Sequence, residues 1–377
     1  MKKRVSIKAD LTRPAQQSVT EEPEGIDDPE DDGLGDYPID TLLIRNENRS
    51  VFEVVRRINA GGFNMIPDFQ RDFVWDLDKQ SRLIESVVMR IPLPVFYLAE
   101  DKTGKTVVVD GLQRLSTFRD FLENKFPLRL PLQESLNKKT FAELSPKLKN
   151  RIEDCNLVLY IIDAKVPERA KLDIFERVNS GETLTRQQMR NCLFTGPATA
   201  WLKAEAATES FISATGSSLD VKKMRDREFV NRFCAFTLIG VDQYKKDMDD
   251  FLAKSLELMN AMTEPEREKL STRFQLSLQN NFELFGRHAF RKHTPGQVDR
   301  SVINASLWDV MTTGLAKYSN KLVTDRKEAF CELYYSLLKD PNFIGAITYS
   351  PNSTKNVKMR FEMAGKIFQE VFGDSSD

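Results

Sequence analysis

From Tyr37 onward the apolar residues fall at spacings that predict regular elements. Ser50 to Ile58 reads as a helix, with Ser50 as N-cap and Glu53 three residues on, the spacing of a capping box. Gly61-Gly62 ends it, and a short apolar segment, Phe63 to Ile66, stops at Pro67. Leu77 to Arg90 predicts a second helix, because Leu83, Ile84, Val87, Val88 and Ile91 make one stripe. Val95 to Ala99 and Thr106 to Val109 read as strands joined by a polar turn. Gln113 to Asn124 is a helix with Leu115, Phe118 and Leu122 on one face, and Leu157 to Ile162 is another strand. Helices follow at 167–178 and 185–194, and beyond about Trp201 the periodicity is mainly helical. The first two-thirds therefore reads as α/β and the last third as α.

Charge changes that picture at one end. The chain has 377 residues, with Lys plus Arg 55 and Asp plus Glu 56. Residues 1–36 hold 5 basic and 10 acidic residues, a charge of −5; the remaining 50 and 46 give +4. Between Glu21 and Asp36 the only large apolar residues are Ile26 and Leu34. Such a segment buries too little surface to offset its ordering entropy, so 1–36 is expected to be a disordered acidic tail. It is either a solubiliser or an acidic arm that competes with nucleic acid for a basic surface on the body. The expected organisation is this tail, an α/β domain over 37–200 and a helical domain over 201–377.

Composition excludes several classes. Two His residues, His288 and His293, are too few for a His-rich zinc site or a His–Asn–His nuclease. The four Cys, at 155, 192, 234 and 331, form no close pair and read as thiols in a reducing compartment. The basic start Met1-Lys2-Lys3-Arg4 has no apolar run after it, so no signal peptide is expected. No apolar run approaches the ~20 residues of a membrane helix, and the expectation is a cytoplasmic protein with no membrane partner.

Four segments bear on chemistry. Ala99 to Thr106 matches a relaxed phosphate-loop pattern, but Thr-Val-Val-Val follows Lys105 where a helix is needed, so a hairpin turn is expected instead. Val107 to Thr117 runs from a buried strand through Asp110-Gly111 into a helix. Gly111 allows a tight turn, and the first helix amides carry the positive end of the dipole. Together with Arg114, Ser116 and Thr117 these groups suit a phosphate, with Asp110 reaching a divalent metal; the alternative is a helix merely capped by Asp110. Ile66 to Trp75 exposes Gln70 and Arg71 between anchoring aromatics, suited to phosphate or base recognition or to a surface ion pair. Phe175 to Asn191 ends one helix, turns at Asn179-Ser180-Gly181 and starts another at Thr185. Its Arg186 and Arg190, four apart, read as a solvated basic face.

In this order and spacing, the segments resemble the N-terminal domain family of GmrSD-type restriction endonucleases, related to the ParB/sulfiredoxin-like nucleotide-binding fold. The resemblance rests on Phe69-Gln70-Arg71 with Trp75, Arg90 to Pro94, Asp110 to Arg114, and Phe175 to Asn179 with Leu184 to Asn191. It implies a nucleoside triphosphatase module of a bacterial defence system that senses foreign or modified DNA. By resemblance, Asp110, Gln113 and Arg114 are the catalytic set. Gln70, Arg71, Gly111, Ser116, Thr117, Arg177 and Asn179 would bind the nucleotide. Leu112 departs from the family, which usually has Gln there. A magnesium ion at Asp110 is expected rather than zinc, because the ligands are oxygens. Two-domain relatives end in a His–Asn–His nuclease; this chain is expected to lack one and to work with a separate nuclease or effector. The alternative is a non-hydrolytic nucleotide- or DNA-binding switch.

Overall fold

Alternating side chains of one central sheet hold two helical layers apart. The computed structural model describes residues 21–26, 44–65, 75–100, 104–130, 135–178 and 185–373, and for 168 and 169 the backbone alone. Five strands, β1 Ile44–Ser50, β2 Phe63–Asn64, β3 Phe96–Glu100, β4 Thr106–Asp110 and β5 Asn156–Ile162, lie in the order β1-β5-β3-β4-β2. The sheet is mixed: β1 with β5 and β3 with β4 are antiparallel, while β3 with β5 and β2 with β4 are parallel. The expected hairpin joins β3 to β4, with positive φ at Gly104; residues 101–103 of its turn lie outside the described residues.

The period of two along each strand sends Phe96, Leu98, Val108, Leu157, Leu159 and Ile161 to one face. There they pack under α1 Val51–Asn59, α2 Leu77–Val88, α3 Leu112–Leu122 and α4 Pro146–Glu153. The opposite face carries Ala99, Val109 and Ile162 against α5 Glu168–Val178 and α6 Arg186–Leu193. Ser50 caps α1 as expected, its hydroxyl accepting from the Glu53 amide at 3.2 Å. Thr185 and Gln188 form the second expected capping box, at the start of α6.

Among the described residues, helices then follow without further strands: α7 Pro197–Ala206, α8 Glu209–Thr215, α9 Arg225–Leu238, α10 Met248–Ala261 and α11 Glu264–Phe285. The last are α12 Ala305–Leu315, α13 Asn320–Asp325, α14 Lys327–Leu337, α15 Pro341–Thr348 and α16 Thr354–Phe372. Their core centres on Trp308, which contacts the rings of Phe211, Phe229, Phe274 and Phe290. Strands end at Ile162, so the all-helical part is larger than the last third.

Three expectations are corrected. The strand β1 was not foreseen. Arg186 and Arg190 are not a solvated face: Arg190 is 1% exposed and pairs with Asp249 and Glu228. Arg186 reaches Asp173 at 3.2 Å, Glu176 at 3.3 Å and Asp249 at 2.7 Å, which ties α5 and α6 to α10. Part of the acidic tail, residues 21–26, is ordered. It crosses the helical layer as a short strap, with Glu24 bridging Asn304 in parallel and Pro23 buried. The rest of 1–36 lies outside the described residues.

Candidate functional site

The carboxyl end of β4 gathers the flanks of three motif segments. Asp110 closes the strand, opposite Tyr97 of β3, where the register shifts between Tyr97 and Leu98. Gly111 follows with φ of 98° and is the N-cap of α3, so Asp110 is not the cap that the simpler alternative supposed. No side chain fits at 111: a Cβ there would lie 2.4 Å from Phe96 Cδ1.

Arg114 leans back over this corner, four residues along α3. Its Nη2 donates to Asp110 Oδ2 at 2.8 Å and to the Val95 carbonyl at 3.1 Å, and its Nη1 donates to the Pro94 carbonyl at 2.5 Å. The guanidinium also sits 4.3 Å from the centre of the Phe96 ring. Burial pushes its pKa down and Asp110 acts against that shift. Arg114 therefore staples the entry of β3 to the exit of β4 and fixes the Asp110 carboxylate, whose side chain is 35% exposed.

The other motif segments arrive from two sides. Gln113 Oε1 accepts the backbone N–H of Trp75 at 3.1 Å, which pins the end of the Ile66 to Trp75 segment to α3. Gln70 and Arg71 themselves lie outside the described residues. Val178, the last residue of α5, packs with Tyr97 on the cluster that contains Val109. Asn179, the next residue, lies outside the described residues, and Arg177 is exposed one residue before. Ser116 is half-buried on α3. Thr117 leaves the candidate set: it is 1% exposed and its hydroxyl donates to the Gln113 carbonyl at 2.7 Å, so it faces protein. Leu112 points into the apolar cluster of α1 to α3, 6% exposed.

Beside the corner runs a cleft of about 570 Å³, lined by Trp75, Lys79, Arg82, Leu93, Pro94 and Arg114. That size suits a small ligand. Lys79 and Arg82, exposed and three apart on α2, give it two cations that the sequence reading missed. Their spacing on the face that follows Trp75 was the available signal. A larger cavity, about 900 Å³, lies at the opposite end of β4, near Phe63, Lys105 and Pro197. It is not preferred, because the motif flanks converge on Asp110 and not on Lys105. Among the described residues no group of three or more His, Cys, Asp or Glu is placed to hold a metal ion. His293 is buried, its Nδ1 2.8 Å from the Arg291 carbonyl and its Nε2 3.1 Å from the Tyr335 hydroxyl. Burial pushes its pKa down. No helix among the described residues is long and apolar enough to cross a membrane.

Residues 50–195 match the family model described as GmrSD restriction endonuclease, N-terminal domain. A search of the curated proteins found no match.

Proposed function

From the match of residues 50–195 to the GmrSD restriction endonuclease N-terminal domain model, we propose that the chain is the nucleotide-binding module of a cytoplasmic restriction or anti-phage defence system. In this reading it hydrolyses a nucleoside triphosphate at the Asp110 corner, and it reports on DNA to a separate nuclease or effector. The observation that carries the proposal is the meeting, at the end of β4, of the Asp110–Arg114 pair, the Trp75 anchor held by Gln113, and the end of α5.

The chemistry follows from what each group can do. Asp110 is a fixed, partly exposed carboxylate beside a cationic cleft, and such a group suits one position of a magnesium ion whose other ligands are phosphate oxygens and water. When bound, that ion would neutralise phosphate charge. Arg114 orients the carboxylate and is a positioning residue. Lys79 and Arg82 would draw the triphosphate into the cleft, joined by Gln70 and Arg71 from the segment before Trp75. The first amides of α3 offer donors for a phosphate, while the space at Gly111 is taken by the Phe96 ring.

Phosphate release is to be measured with magnesium and each nucleoside triphosphate, on the parent and on Asp110→Asn. Turnover is expected in the parent and not in the variant. A parent that neither binds nor turns over any nucleotide refutes the proposal. One observation favours the non-hydrolytic switch: three hydrogen bonds of Arg114 already go to protein oxygens. Calorimetry that finds binding without turnover would select it.

A further inference from the structure

The helical layer carries a second charged site, away from the Asp110 corner. Two basic stretches far apart in sequence, Lys222 to Arg227 and Arg287 to Lys292, meet there with Arg300. The strap lies across them. Glu21 reaches Arg300 at 3.1 Å and Arg291 at 3.9 Å. Glu22 reaches Lys223 at 3.3 Å and Arg225 at 3.4 Å, and Glu24 reaches Lys292 at 2.6 Å. We propose that this face is a binding surface for the phosphates of nucleic acid, and that the chain's own residues 21–24 occupy it as an acidic competitor.

The charge balance supports an external polyanion. Five cations, Lys223, Arg225, Arg291, Lys292 and Arg300, meet the strap's three carboxylates, Glu21, Glu22 and Glu24; Arg225 also pairs with Glu228, and Arg291 is buried and donates to Ala289, Thr215 and Ser218. The exposed Arg287 adds to the excess. Burial, then repulsion from Arg300, push the Arg291 guanidinium down to about 10, while Glu21 acts against the shift. A group of like charges held this close is costly without counter-charge, and the strap supplies only part of it. Arg300 Nη1 packs over Gly216, where a Cβ would lie 2.1 Å from it.

Spacing supports the same ligand. Residues 21 to 24 cover roughly 10 Å of extended chain. One strand of duplex DNA presents about three phosphates over that length. The strap is anchored mainly by polar contacts, among them Asn304 Nδ2 donating to Glu24 at 3.1 Å and Asn352 Nδ2 to the Ile26 carbonyl at 3.5 Å. Its backbone bonds run from Glu21 to Ser218 and from Glu24 to Ile303 and Ala305, and its apolar contacts with the core come from Pro23 and Ile26. Removing the carboxylates' charge therefore loosens it without opening the body.

The choice of nucleic acid as ligand rests on the proposed restriction-system role, but nucleotide binding at Asp110 is not needed. The test uses the full chain, a short fluorescein-labelled DNA duplex and no nucleotide, so a dead Asp110 corner cannot change its outcome. Neutralising the strap with Glu21→Gln, Glu22→Gln and Glu24→Gln should tighten binding at low salt by about tenfold or more, with a steeper salt dependence. Adding Lys223→Gln and Arg300→Gln, both at side chains that reach solvent, should remove that gain. The proposal is overturned if the triple variant binds no tighter than the parent. It is equally overturned if the gain survives loss of Lys223 and Arg300, or if the triple variant self-associates without any gain for DNA.

Discussion

Arg114→Ala tests whether the corner depends on the arginine as a staple. The Asp110 pair is partly in solvent and contributes ~1 kcal/mol after screening. The Pro94 and Val95 carbonyls each lose a charged donor, about 1 kcal/mol apiece or more. The contact with Phe96 adds about 1 kcal/mol. Removing a buried charge recovers some desolvation, consistent with the lowered pKa of Arg114, so the net loss expected is about 2–4 kcal/mol. Urea denaturation measures the loss, and amide hydrogen exchange over 95–100 locates it, since β3 should open first. Arg114→Lys keeps a charge near Asp110 but not the fork to both carbonyls, and should fall between parent and Ala. A loss below about 1 kcal/mol, with unchanged exchange in β3, would refute the staple and return Arg114 to ligand duty.

Gly111→Ala should cost about 2–4 kcal/mol in the same denaturation assay, because the left-handed φ of 98° and the contact with fully buried Phe96 add together. A neutral result would mean that the corner is softer than its geometry. Asp226 gives a pH signature. Burial pushes its carboxyl up from 3.8 to about 6, so between those values the folded state holds a proton that the unfolded state has released. Stability from this group therefore falls as pH rises through that window, and the penalty is complete above it. Asp226→Asn should stabilise the protein by about 1–3 kcal/mol at about pH 7.5, and the gain should vanish near pH 4. A gain equal at both pH values would show another cause.

What the sequence shows clearly is local. The cap at Ser50, the box at Thr185, the hairpin around Gly104 and the stripe of α2 all depend on neighbours within a few residues. β1 was illegible because Ile44–Ser50 has no alternating apolar face. It is an edge strand held by its backbone to β5, by Arg45 pairing with Glu100 and Asp163, and by Arg49 pairing with Glu53. The strap was misread for a similar reason, since composition alone sees three Glu residues and no core. Its partners lie far along the chain, in segments whose own local signal is only a basic stretch. Within the candidate site, the residue types at Asp110 and Gly111 were legible. That Thr117 faces inward, and that Leu112 is a core residue, needed the packing of α3.

The strap also has a consequence in time. Glu24 pairs with Lys292, 268 residues later, and Glu21 with Arg300, 279 residues later. At about 5–20 residues per second, a ribosome needs roughly 15–60 s to make that span. The acidic segment must therefore wait, undocked, while the sheet and the first helices of the body are made. Contacts this distant in sequence add little to early folding and form late. A segment that docks last, on few apolar contacts, is also among the first to leave. The order of synthesis thus leaves the strap as a late-docking piece, lying over a patch of positive charge.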